Sequence, residues 1–133
     1  MAKLSSAMGR LSTFLCVDDE PSILRMEKML LESAGYRVLT SSAAKEALKI
    51  FEAEDVDVVV MDYFMSDMTG IEAARMMKQL KPGVPLLFLS GYGELPDESL
   101  GLADTWVIKG QQRPEEFLAR LRALALKSRP AGT

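Results

Sequence analysis

The sequence predicts an α/β fold, a (βα)5 doubly wound five-stranded parallel sheet, and three observations lead there. Short apolar runs, Phe14-Leu15-Cys16-Val17, Val56 through Met61 around one acid, Leu86 to Leu89 and Trp106-Val107-Ile108, recur along the chain. Runs of this length read as strands buried on both faces, which is how a parallel sheet covered by helices looks in sequence. Stretches with helical spacing separate them, so each strand is joined to the next by a right-handed crossover. Finally, the runs stop abruptly at Asp18-Asp19-Glu20, at Asp62, at Ser90 and at Lys109. In such sheets the ligand crevice lies outside the carboxyl ends of the strands. The fold therefore gathers carboxylates, a hydroxyl and an ammonium in one small place.

The elements follow in order. Residues 1–12 are polar, small and patternless, and are expected to form a flexible tail. The domain is expected over residues 13–127, opening with a strand from Thr13. Pro21 suits a first helical turn, and Ile23, Leu24, Leu30 and Leu31 follow at helical spacing. That helix is expected to end before Gly35, a good residue just past a helix end. A second strand is expected at Tyr36–Thr40 and an alanine-rich helix from Ala43 to about Ala53. After the strand that ends at Asp62 comes a loop with Asp67 and Gly70, then a helix from Ile71 to Leu80, stopped by Lys81-Pro82-Gly83. The fourth strand is expected at Pro85–Leu89. Between Ser90 and the last strand, Gly91, Gly93, Pro96 and Gly101 leave room for only a shortened fourth helix. The last helix begins near Pro114 and carries Phe117, Leu118, Leu121 and Leu124 on its apolar side. Residues 128–133 read as a C-terminal tail. The expected strand order is the flavodoxin-like 2-1-3-4-5.

The chain has 133 residues, 48% of them hydrophobic and 26% charged, which suits one globular domain with a real core. A net charge of −3 argues against nonspecific nucleic-acid binding, which needs a basic face. No apolar stretch reaches the length of a membrane span, and the first apolar run breaks at Asp18, so a cytoplasmic location is the simplest expectation. Cys16 is the single cysteine, so no internal disulfide can form; with no histidine, a zinc site is disfavoured and the chain cannot itself carry a phosphohistidine.

Each site residue has a plain reading beside a chemical one. Asp62 alone could be an acid ending a strand in a turn. Asp18-Asp19 alone could cap the helix that starts at Pro21. Ser90 could cap a turn or donate to an oxyanion, and Lys109 could be a structural counter-ion. Together the acids are harder to dismiss, because three carboxylates held close repel one another unless a cation fills the gap. Oxygen ligands without histidine or thiolate point to Mg²⁺ or a similar hard ion. A carboxylate nucleophile, a divalent cation, a lysine and a hydroxyl are the parts of phosphoryl transfer to aspartate.

On these residues the chain resembles a response-regulator receiver domain of two-component signalling, over roughly residues 13–127. The resemblance matches Asp18 and Asp19 to the acidic pair, Asp62 to the phosphoacceptor, Ser90 to the switch Ser/Thr and Lys109 to the invariant lysine. Residues Met61 through Gly70 resemble the loop that follows the family's aspartate. The resemblance implies that Asp19, Asp62 and the Phe64 backbone carbonyl ligate Mg²⁺, with Asp18 acting through water. It implies a sensor histidine kinase, a phosphotransfer protein or a small acyl phosphate as donor, and a downstream protein that reads the last strand and last helix. Neither nucleic acid nor membrane is an expected contact of this domain. No turnover on an external substrate is implied, only self-phosphorylation and slow autodephosphorylation. Trp106 stands where the family has an aromatic that rotates with the Ser/Thr; a plain core or half-exposed tryptophan is the other reading.

Several positions depart from the family's pattern. Ser66 and Gly110 stand where proline is usual, and the family's bond after the lysine is typically cis. A cis bond before glycine costs about 2.5–4 kcal/mol, so either that strain is stored or the loop after Lys109 takes another path. The interval from Ser90 to Lys109 is a few residues short. Phe64 and Tyr92 flank the family's path for hydrolytic water, which suggests a long-lived phosphoryl state. Met61, Met65, Met68, Met76 and Met77 read as adaptable packing or partner surface. The departures leave an alternative open, a pseudo-receiver acting as a phosphorylation-independent binding module. An aspartate-nucleophile phosphatase is disfavoured, since Phe64 occupies the place of its second acid. The domain is expected either to stand alone or to be part of a longer protein such as a hybrid kinase.

Overall fold

The computed structural model describes residues 11–65, 67–91 and 101–128. Five strands, β1 (Thr13–Val17), β2 (Arg37–Ser41), β3 (Val58–Asp62), β4 (Leu86–Ser90) and β5 (Thr105–Ile108), pair in parallel in the order β2-β1-β3-β4-β5. Helices α1 (Pro21–Ser33), α2 (Ala44–Ala53), α3 (Gly70–Leu80) and α4 (Pro114–Ser128) fill the connections. The expected strand order and the four long helices are as read from the apolar runs, with ends moved by one or two residues. The short helix expected between β4 and β5 falls on residues 92–100, outside the described residues, as do Ser66, Tyr92, residues 1–10 and residues 129–133.

The strands' two-residue period divides the core. Leu15, Val17, Val59, Met61, Leu86 and Phe88 point to one face, where Ala47 and Phe51 of α2 and Ile71, Ala74 and Met77 of α3 cover them. Phe14, Cys16, Val58, Val60, Leu87 and Val107 point to the other, under Leu31 of α1 and Phe117, Leu121 and Leu124 of α4. Both faces are buried, which explains why β1, β3 and β4 read as unbroken apolar runs. The methionines divide by position, with Met61 and Met77 in the core and Met76 exposed on α3.

The ends of the helices follow local rules. Gly35 takes φ +95° just after α1, a left-handed turn that glycine makes without steric cost. Thr69 caps α3 by accepting the Glu72 N–H, while Glu72 returns to the Thr69 N–H, a complete capping box. Gly70 has no alternative: a Cβ there would sit 2.7 Å from the Asp62 carbonyl oxygen and 2.9 Å from that of Tyr63.

The order places β1 between β2 and β3, so the topological switch point lies between β1 and β3. The register Val17↔Met61 then sets Asp18 and Asp62 side by side at the carboxyl edge. The Asp18 N–H donates to the Ser41 carbonyl at 3.1 Å, and the Lys109 N–H to that of Ser90 at 2.8 Å.

Candidate functional site

Four strand ends supply the side chains. Asp18 and Asp62 are buried, Asp19 is exposed, and ligand oxygens of all three lie within 4.8 Å of one another. The Lys109 Nζ enters this group from the end of β5, 2.9 Å from Asp18 Oδ2, 3.2 Å from Asp62 Oδ2 and 3.1 Å from Glu20 Oε1. Its contact with Asp18 is close but not aligned as a hydrogen bond, so charge attraction rather than direction holds it. Asp18 Oδ1 accepts the Glu20 N–H at 2.9 Å, which fixes the turn into α1. Asp62 Oδ1 accepts the Phe64 N–H at 3.4 Å, which brings the Phe64 backbone back toward the site.

Charge follows from this packing. Burial, the largest influence, and the adjacent Asp18 carboxylate push Asp62 up to about 6, against the pull of Lys109 and the Phe64 N–H. Burial also raises Asp18, against the Glu20 N–H and Lys109. Lys109 is partly desolvated, which alone favours its neutral form, yet Asp18, Glu20 and Asp62 hold it above the ordinary lysine range. One ammonium thus faces several acids, an arrangement still short of positive charge. Hard oxygen donors in this number suit Mg²⁺, and no thiolate or imidazole competes for it among the described ligand groups.

Of the site residues predicted from sequence, Asp18, Asp19, Asp62 and Lys109 are brought together at the carboxyl edge. Ser90 is wholly buried at the end of β4, beside Lys109 in the ladder. Trp106 is half-buried, pairs with Phe88 across β4 and β5, and packs on the α2/α3 side of the sheet, a placement that suits either of its readings. Phe64 is half exposed, and its ring meets Tyr63 edge-on at 4.6 Å. The open question after Lys109 is answered by the backbone. No cis peptide occurs among the described residues, and Gly110 takes φ +78°. Proline, locked near −65°, cannot follow that path, so glycine here goes with a different loop.

Two neighbours of the site were given no individual role from sequence. Glu20 completes the ion-pair set around Lys109. Glu27, on α1, is 1% exposed, and neither carboxylate oxygen has a hydrogen-bond acceptor or donor aligned with it. Burial first and the Asp18 charge second push it up to about 8. Its signal was present: Glu27 is four residues from both Ile23 and Leu31 and therefore on the apolar face of α1. The buried Cys16 thiol is raised too, by burial and then by Glu27.

Comparison with known proteins agrees with this geometry. Residues 14–109 match the family described as response regulator receiver domain. The alkaline phosphatase synthesis transcriptional regulatory protein PhoP of Bacillus subtilis is 38% identical over 117 residues, 86% of this chain and 48% of PhoP. The chain thus spans about half or less of the length of the curated relatives it matches. A CheY-like receiver domain protein from Methanospirillum hungatei superposes with a TM-score of 0.83 at 30% identity, covering 89% of this chain and 96% of that one. The response regulator TrrA of Thermotoga maritima, solved with Mg²⁺ and BeF, gives 0.79 at 29% identity over 86% of this chain and 99% of its own; TrrA is also known in complex with the histidine kinase ThkA. Among the described residues no helix is long and apolar enough to cross a membrane. With residues 14–109 matching the family and the sheet order shared with its solved structures, the chain belongs to the response regulator receiver domains.

Proposed function

We propose that this domain is a phosphorylation-operated switch that takes a phosphoryl group on Asp62 from a histidine kinase or phosphotransfer protein. The observation that carries this reading is the convergence of Asp18, Asp19 and Asp62 within 4.8 Å, with Lys109 drawn into the same group. Asp19, Asp62 and the Phe64 carbonyl would hold Mg²⁺, with Asp18 acting through water. A bound Mg²⁺ supplies positive charge for the phosphoryl oxygens. Asp62 is the nucleophile: its carboxylate oxygen forms the new O–P bond while the donor's N–P bond breaks and its nitrogen keeps the electron pair. Lys109 neutralises charge on the equatorial oxygens, and the Ser90 hydroxyl donates to one of them. A phosphoryl group shifts the fold only if it is held better in one arrangement than another, so Lys109 and Ser90 are also the residues through which the switch is read. The changed surface is that of β5 and α4, presented to a protein partner. No external substrate is turned over.

Trp106 provides the test. Mg²⁺ is titrated while its fluorescence is followed, then beryllofluoride is added, with Asp62→Asn as control. A Mg²⁺ response followed by a saturable second change that is absent in the control is the expected result. Failure of both ligands to bind by calorimetry overturns the proposal in favour of a phosphorylation-independent binding module.

A further inference from the structure

Helix α2 begins without a cap of its own. Its flanking residue is Ala43, which has no side-chain oxygen to offer the unpaired N–H groups of the first turn. Those donors are met from far along the chain. Asp67 Oδ1 accepts the Ala44 N–H at 3.0 Å, and Asp67 Oδ2 accepts the Lys45 N–H at 2.9 Å. Both oxygens of one carboxylate are used, and these two bonds are the main reason that Asp67 lies below the usual carboxylate range.

Asp67 belongs to the loop that leaves Asp62. The base of this loop is closed by the Phe64–Thr69 bridge and by the Gly70 N–H donating to the Tyr63 carbonyl at 2.7 Å. The Phe64 N–H returns to Asp62. All of these contacts are local to residues 62–70. The Asp67 pair instead ties the loop to a different helix, across 22 and 23 residues of sequence.

We infer that Asp67 is a positioning residue for the cation site, fixing against the start of α2 the loop that carries the Phe64 carbonyl. This rests on the proposed function, in which that carbonyl is a cation ligand. Two effects of Asp67 can be separated, because a helix cap can be restored without restoring the tether. Ala43→Ser provides α2 with a local cap. It does nothing for the loop.

The test compares wild type, Asp67→Ala, Asp67→Asn and the double variant Asp67→Ala/Ala43→Ser by thermal unfolding and by calorimetric titration with Mg²⁺ alone. Asp67→Ala is expected to melt lower and to bind Mg²⁺ about tenfold more weakly, as loss of a residue supporting a metal ligand does. Asp67→Asn keeps one acceptor oxygen and should fall between. The double variant should melt like wild type yet still bind Mg²⁺ weakly; it also carries the test if Asp67→Ala alone fails to fold. Wild-type Mg²⁺ affinity in Asp67→Ala, or recovery of affinity together with stability in the double variant, would reduce Asp67 to a helix cap and overturn the inference. Wild-type protein that does not bind Mg²⁺ would instead overturn the cation site itself, and this inference with it.

Discussion

At the amino edge of the sheet, Asp57 accepts the Thr13 N–H at 2.7 Å and Asp104 accepts the Leu86 N–H at 2.8 Å, whereas at the carboxyl edge Asp18 and Asp62 face each other across a single ammonium. Asp104 is further paired with Lys78 and Lys127. Desolvation alone would raise it, but Lys127, the Leu86 N–H and Lys78 together hold it below the usual carboxylate range. Asp62 moves the other way, up to about 6, because burial and a second acid outweigh Lys109. Each end buries or half-buries acids next to lysines, so composition does not distinguish them. What differs is the backbone. Acids just before a strand find N–H donors of the neighbouring strand, which makes them structural. Acids at strand ends find one another, and only added positive charge completes them. The lesson is that an acid's balance of donors, more than its burial, separates the working edge from the supporting edge.

The largest expected effect is at the working edge. Asp62→Asn should abolish phosphorylation by a small acyl phosphate while thermal unfolding stays cooperative; intact mass checks both proteins, and phosphate retained on the variant would break the comparison. Lys109→Ala should still bind Mg²⁺ but lose the Trp106 response to beryllofluoride. A full response there would make Lys109 a mere counter-ion.

Glu27 sharpens the comparison because it lies in the core beneath the working edge with no N–H or ammonium donor, only the buried Cys16 thiol beside it. Its folded value, about 8, exceeds the unfolded 4.5, so the fold holds a proton that the unfolded chain releases. Stability from this group is fully present below about 4.5 and is lost as pH rises to about 8, a change of a few kcal/mol at most. Glu27→Gln should flatten that slope in urea unfolding between those pH values and leave the variant relatively more stable at the alkaline end. An unchanged slope would show that Glu27 finds a partner.

A smaller effect is expected at the supporting edge. Asp57→Ala strands the buried Thr13 N–H and should lower unfolding stability by about 1–3 kcal/mol, with phosphorylation intact. Loss of phosphorylation in a folded Asp57 variant would erase the division between edges. Asp104→Asn keeps an acceptor for Leu86 and gives up a charge whose nearest partner, Lys127, is 62% exposed and screened by solvent, so its cost should be smallest, within about 1 kcal/mol.

Most of the working edge was legible in the chain. Apolar runs that stop at Asp18, Asp62, Ser90 and Lys109 specify both the strands and what stands at their ends, since burial on both faces leaves little freedom in where a parallel strand finishes. Glu27 was legible as well, but a charged residue on an apolar stripe is easily passed over as solvated. Gly110 marked a departure without saying which way the loop went; the left-handed φ answers that, and it depends on how β5 is anchored. The Asp67 tether was not legible, because nothing in a local pattern reveals that a loop acid will meet a helix start 22 residues earlier.

The sequence by itself determined the strands, their two-faced burial and the identity of the groups at the carboxyl edge, because hydrophobic periodicity acts over a few residues and is written locally. Tertiary structure decided which acid meets a donor and which meets another acid, because that depends on register and crossover. One carboxylate became a strand anchor, another a remote helix cap and a third the partner of a second acid and a lysine through their neighbours in space, not their chemistry.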